Sequence, residues 1–269
     1  MKSTITIPQA AAQQRLKAVG MALLSASLLI FALPAHADSL VTNGSFESLT
    51  NGTGQISNGT GSAGLGNTAA TGWTTSGYNF VFGPGTADTS GTYVKQYSQY
   101  LTLWGTNNSG LDVIPASSPD GGNFLAADGD YEDGAISQTI NGLTVGDKYQ
   151  VGFWWAASQQ HGFNGATEQY WAVSLGAQTL DTPTYDLSSH AFSGWMYQTD
   201  TFTATSSSEV LSFLAVGNVP VPPFALLDGV TMNDESQPSS TPEPASLLLL
   251  FTGMAGGLAV LGSKKLLRI

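Results

Sequence analysis

Eighteen carboxylates, two histidines and six tryptophans lie between residues 38 and 240. These are the side chains that could do chemistry. There is no cysteine, which excludes a thiol nucleophile and a Cys-based zinc site. His161 and His190 stand in neither a G-x-S-x-G elbow nor an H-E-x-x-H helix. Paired carboxylates for glycoside cleavage stay open, because 18 acids give many pairs and spacing singles out none. The densest acidic run is DGDYEDG (128–134). Counted from Asp128, position six is Asp133 and position twelve is Thr139. An EF-hand needs Gly and Glu there, so the spacing fails. The run is expected to be a solvated loop between strands, with weak cation binding as the lesser alternative. Asp228 differs, because it follows Leu226-Leu227 in an apolar run. A lone carboxylate is costly to bury there without a partner.

Aromatic rings stack on the apolar faces of pyranoses, and amide side chains hydrogen-bond the hydroxyls. Trp104 precedes a Gly-Asn loop, and SQQHGFNGATEQ (158–169) connects two Trp-bearing strands. The candidate sugar contacts are Trp104, Trp154, Gln160, His161 and Trp171. For each tryptophan the competing role is core packing.

Charge narrows the partners. Only Lys95 and Lys148 oppose the 18 acids of this segment, a net charge of −16, against −11 for the whole chain. Phosphate contacts need Lys and Arg, so nucleic acid is excluded as a partner. Such a field keeps a protein soluble and attracts cations.

These side chains must be positioned by strands. In YQVGFWWAA (149–157), Tyr149, Val151, Phe153 and Trp155 share one face. In QYWAVSLG (169–176), Trp171, Val173 and Leu175 share one face. Further runs are YNFVF (78–82), YLTLW (100–104), NFLAA (123–127), AISQTI (135–140), WMYQTDTFTAT (195–205), EVLSFLAV (209–216) and FALLDGVTM (224–232). Turn chemistry punctuates them, as at Asn141-Gly142 and Gly146-Asp147. About ten short strands with little helical period predict an all-β sandwich over 38–233. The Gly/Asn/Thr/Ser-rich stretch from Ser48 to Gly72 predicts a long flexible loop.

The order of NGSFE (43–47), GWTTSG (72–77), DGAISQTINGLTVGDKYQVGFWWAA (133–157) and FALLDGVTM resembles the galactose-binding-like jelly roll. Many bacterial carbohydrate-binding modules have that fold. The resemblance implies a jelly-roll β-sandwich that binds polysaccharide without catalysis. It also implies a structural calcium tying the first strand to the last, held by Glu47 and Asp228. The family often has Asp-Asp before Val, whereas Gly229 takes the second place here. A structural or adhesive matrix protein without a sugar pocket, and a glycoside hydrolase, are the alternatives.

The ends add an itinerary. Residues 1–37 carry Lys2, Arg15 and Lys17, an apolar stretch and Ala35-His36-Ala37, the pattern of a helical signal peptide read by signal peptidase. Residues 234–244 are a Pro/Ser-rich linker ending in Pro242, Glu243 and Pro244. An uncharged run, Ala245–Gly262, then precedes Lys264, Lys265 and Arg268 within a final segment, 245–269. As a transmembrane helix it would be about 27 Å long, enough to cross a bilayer core with snorkelling lysines. The triplet, span and basic end resemble the PEP-CTERM sorting signal of Gram-negative bacteria. That implies export through the inner membrane, a transient membrane-anchored precursor, cutting by an exosortase, and a cell-surface or matrix destination. A plain single-span anchor is the alternative.

Overall fold

Two kinds of burial pattern organise the structure, and each follows from the apolar spacing of its strands. In chain order the strands are β1 (Gly54–Gln55), β2 (Thr74–Thr75), β3 (Asn79–Phe82), β4 (Thr92–Val94), β5 (Gln99–Leu101), β6 (Phe124–Asp128) and β7 (Ile136–Asn141). They continue with β8 (Lys148–Gln159), β9 (Thr167–Leu175), β10 (Gln178–Asp181), β11 (Tyr185–Leu187), β12 (Met196–Thr203), β13 (Ser208–Gly217) and β14 (Pro223–Asp234). This computed structural model describes residues 39–56, 66–75, 77–131, 134–218 and 221–236. All belong to one unit, Ala37–Pro238. The expected signal peptide, the Pro242-Glu243-Pro244 triplet and the expected terminal span lie outside the described residues. Within them, no helix is long and apolar enough to cross a membrane.

One sheet runs β1-β3-β6-β14-β8-β12 and the other β10-β9-β13-β7-β2, with β11 also paired to β9. Every strand pairing is antiparallel. From β6 to β9, and again from β12 to β14, successive strands alternate between the two sheets. That is jelly-roll winding. The predicted all-β sandwich is therefore observed.

In β9 and β13 burial alternates residue by residue, as a strand with one face in water requires. Their inner residues, including Trp171, Val173, Leu175, Leu211 and Phe213, meet Val151, Phe153, Trp155 and Leu227 of the first sheet in the main core. The period of two in 149–157 and 169–176 predicted both faces correctly.

In β3, β6 and the first eight residues of β14 burial is unbroken. NFVF, FLAAD and PFALLDGV offer no polar face, so the outer side of this sheet must also be covered. The cover is the excursion between β3 and β6, which carries the β4–β5 hairpin. Ala87, Val94, Leu101, Leu103 and Ile114 pack on Phe80, Phe82, Phe124, Ala126, Phe224 and Leu226 in a second core.

The amino-terminal segment lies along β14. Leu40 N–H donates to the Met232 carbonyl at 2.9 Å, and Val230 N–H to the Gly44 carbonyl at 3.1 Å. A Cβ on Gly44 would stand 1.9 Å from the Val230 carbonyl oxygen, so this close approach requires glycine.

The loop expected from Ser48 to Gly72 is partly ordered. β1 pairs with β3, and the bridges Leu49–Ala70 and Ile56–Thr68 tie its two arms together. Ile56 and Ala70 are buried, so a few apolar residues in a polar stretch suffice to pin it. Residues 57–65 lie outside the described residues.

Candidate functional site

Two features stand out where the covering excursion meets the first sheet. The first is a carboxylate group around Asp228. The NGSFE segment is wound tightly, with Asn43 and Phe46 at positive φ. Asn43 fixes it by donating to the Ser48 and Thr71 carbonyls and accepting the Ser48 N–H. Trp73 Nε1–H donates to the Asn43 carbonyl at 2.9 Å. This winding brings exposed Glu47 to the excursion, where its Oε1 accepts the Asn123 N–H at 2.5 Å. Asp120 accepts the Ser45 hydroxyl at 2.5 Å.

Asp228 is fully buried. Its Oδ2 accepts the Ser118 hydroxyl at 2.5 Å, while its buried Oδ1 has no hydrogen-bond partner. Burial pushes its carboxyl up to about 8, and the charges of Asp120 and Glu47 push the same way. The Ser118 hydroxyl and the Gly229 N–H favour the charged form without offsetting this. Gly229 sits at φ +58° beside a β-bulge, and a Cβ there would meet Asp120 and Trp154 at 3.0–3.1 Å. A side chain at that place would be strained at this φ and would crowd Asp120 and Trp154.

Among the described residues, no group of three or more His, Cys, Asp or Glu side chains is drawn together closely enough to hold a metal by itself. Glu47 and Asp228 are thus near enough to feel each other's charge without forming a closed cage.

The second feature is a cleft of about 410 Å³ lined by Tyr78, Tyr97, Gln99, Asp128, Asp130, Tyr131, Gln160, Phe163 and Pro222. It lies at one end of the first sheet, where β3 and β14 begin and β6 and β8 end. Tyr97, Tyr131 and Phe163 are 47%, 44% and 42% exposed, so each ring keeps part of its surface in solvent. Tyr97 and Tyr131 share a hydroxyl–hydroxyl hydrogen bond of 3.1 Å, and Tyr131 stands edge-on to Tyr78 at 5.3 Å. Another hollow, about 190 Å³ and lined by Ala166, Thr167, Glu168, Asp186, Leu187, Ser188 and Asn218, has no aromatic ring.

Asp128 shapes the cleft floor. Its Oδ1 accepts the N–H groups of Asp130 at 3.0 Å and Tyr131 at 3.1 Å, which folds the loop back and presents the Tyr131 ring. Burial raises its carboxyl to about 6, against the lowering effect of those two N–H groups; the Asp130 charge adds to the rise.

The expected sugar contacts divide. Gln160 lines the cleft. Trp171 is fully buried in the main core and donates Nε1–H to the Leu226 carbonyl at 3.1 Å, so no sugar can reach its face. Trp104 is 8% exposed and offers no free face either. It stacks on His190 at 3.8 Å and meets His161 at 4.3 Å. Its Nε1–H donates to the Phe163 carbonyl at 2.9 Å. Trp104 and His161 therefore position the Phe163 loop. Buried Gln159 helps, donating to the Gly165 carbonyl and accepting the His190 N–H. Trp154 is half-buried on the outer sheet face, 5.0 Å from exposed Tyr197 and away from the cleft lining.

Sequence reasoning missed Tyr78, Tyr97, Gln99, Asp128, Asp130, Tyr131 and Phe163 as residues lining one cleft. A signal was present for two of them. Tyr131 and Phe163 are lone aromatics inside Gly/Asp/Asn loops, DGDYEDG and HGFNG, which have no core of their own to fill. The solvated-loop expectation for 128–134 fails at Asp128, which is buried.

No family model matches the chain. It is 25% identical over 223 residues to halomucin of Haloquadratum walsbyi, a match covering 82% of this chain and 2% of halomucin's length. Among solved structures it is similar to TmCBM61 in complex with β-1,4-galactotriose, at 13% identity over 74% of this chain and 100% of that one, TM-score 0.36. It is also similar to the CBM22-1 xylan-binding domain of Paenibacillus barcinonensis Xyn10C, at 11% identity, 77% and 100% coverage, TM-score 0.34. The K3 cleaved adhesin domain of Lys-gingipain from Porphyromonas gingivalis matches at 12% identity, 67% and 98% coverage, TM-score 0.34.

Asp128 predicts a pH dependence. Its folded pKa of about 6 lies above the ordinary 3.8, so the folded state holds its proton longer. The associated stability is present below about pH 4 and is lost as pH rises toward 6. Urea melts of Asp128→Asn at pH 4 and pH 7 should show a smaller difference than wild type. An unchanged difference would assign the titration elsewhere.

Proposed function

We propose that this chain is an exported, non-catalytic polysaccharide-binding protein of the cell surface or extracellular matrix. The carrying observation is the cleft, which sets three part-exposed rings against the hydrogen-bonding groups Gln99, Asp130 and Gln160. That combination suits pyranose rings, whose faces are apolar and whose rims are polar. Glycoside hydrolysis needs two carboxyl groups flanking the scissile bond. Asp128 and Asp130 come from one loop two residues apart, and the facing wall of Tyr97, Gln99, Gln160, Phe163 and Pro222 carries no acid. The arrangement therefore favours holding a glycan over cutting it.

The proposal includes calcium at Asp228. The orphaned Oδ1, the oxygen-only donor set and the absence of any Lys or Arg partner suit a hard cation that accepts mixed carboxylate and carbonyl ligands. Glu47 and Asp228 would hold it with the help of backbone carbonyls, and the ion would supply the positive charge that keeps a buried carboxylate ionised. It would also tie the amino-terminal segment to β14 through the excursion.

The proposed itinerary rests on sequence. The signal-peptide pattern of 1–37 and the Pro242-Glu243-Pro244 motif with its apolar span support export, signal-peptidase cleavage and exosortase processing in a Gram-negative bacterium. The likeness to halomucin agrees with an extracellular setting.

Three experiments test these parts. The full-length chain in mild detergent should bind neutral glucan, xylan or galactan without releasing reducing ends, and Tyr131→Ala or Phe163→Ala should weaken binding about tenfold. Retention on no polysaccharide, including the producing cell's own exopolysaccharide, removes the binding proposal. Chelator should lower the melting temperature by roughly 5–10 °C, with Glu47→Ala abolishing the response. Superimposable melts with and without chelator remove the calcium. Mass spectrometry of the surface-exposed protein should find a carboxy terminus lacking Lys264, Lys265 and Arg268 only when exosortase is present. An intact tail in both strains removes the sorting step.

A further inference from the structure

The cleft's charge is of one sign. Asp128 and Asp130 line it, and no Lys, Arg or His does among the described residues. His161 stands edge-on to Trp104 instead. Lys148 begins β8, whose opposite end reaches the cleft, roughly 35 Å away at strand spacing. Lys95 opens the 3-10 turn that carries Tyr97 and is itself exposed.

Asp128 is 3% exposed, and its Oδ1 accepts two backbone N–H groups. Asp128 thus presents its carboxyl group to a cavity also lined by Tyr78, Tyr97, Tyr131 and Phe163. An anionic sugar entering here would lose water beside two carboxyl groups with no cation to offset the loss. An ammonium group would gain on both counts, pairing with carboxylate oxygen and resting against tyrosine faces.

We infer that the cleft selects glycans by charge, taking polymers of 2-amino sugars with free ammonium groups in preference to their N-acetylated forms and rejecting uronic acid polymers. The inference rests on the polysaccharide-binding proposal and specifies its substrate class. In such a complex Asp130, at the exposed rim, meets the ammonium first, while Asp128 holds the floor. Because each side of the contact is partly desolvated by the rings, the preference exceeds that of an open surface ion pair.

The test is calorimetric titration of the full-length chain with three hexamers: glucosamine, N-acetylglucosamine and galacturonic acid. Glucosamine hexamer should bind about tenfold more tightly than its acetylated counterpart, with galacturonate undetectable and the preference shrinking in high salt. Asp130→Asn should lower the glucosamine-to-acetylglucosamine ratio, whereas Asp186→Asn, in the ring-free hollow, should leave it unchanged. Equal affinities for the two hexamers, measurable galacturonate binding, or an equal effect of Asp186→Asn would each overturn charge selection. If those results came with retained binding of neutral glycans, the polysaccharide-binding proposal would survive. If no glycan of any charge bound, both would fall.

Discussion

The first sheet can leave neither of its faces in water, and the rest of the molecule follows from that constraint. β3, β6 and β14 are apolar on both sides. The inner face is satisfied by the second sheet, the ordinary solution for a sandwich. The outer face needs a dedicated cover, and the excursion from Gly83 to Asn123 supplies it through a second core. Each large aliphatic side chain that the cover buries this way contributes on the order of 1.5–3 kcal/mol, which holds the cover on the sheet. Both functional features lie on its border. Tyr97 and Gln99 reach the cleft from one side of it, and Ser118 and Asp120 reach Asp228 from another.

Position along the sheet separates the roles of the acids. Asp228 is outward-facing but roofed, leaving a buried oxygen without a partner. Asp128 is outward-facing at the strand end, where its own loop supplies two N–H donors. Both carboxyls are pushed upward by burial, to about 8 and about 6. The more strongly perturbed one keeps a buried oxygen without a partner, whereas the other folds its own loop back.

Much of the scaffold was legible in the residues. The period of two in 149–157 and 169–176 gave the inward faces of β8 and β9, and the unbroken runs NFVF and FLAA carried the both-sided burial. The short strands β1, β4, β10 and β11 were not legible, since two to four residues show no period and their pairing depends on distant partners. The cleft was legible only at Gln160. Tryptophan drew attention because it is large and sticky, yet its size is what sends Trp171 to the core and Trp104 beneath two imidazoles. The rings left for a ligand are Tyr97, Tyr131 and Phe163, held on loops whose conformation is set by Asp128, Gln159 and Trp104 from elsewhere in the chain.

The place of β14 also has a mechanical meaning. The last described strand is not at a sheet edge; it is hydrogen-bonded to β6 on one side and β8 on the other. Tension transmitted from beyond Ser236 therefore runs along a central strand and must shear two ladders at once, with the Leu40 and Gly44 contacts resisting as a third. A pull applied at that end would load two ladders together, whereas an edge strand has one ladder to lose.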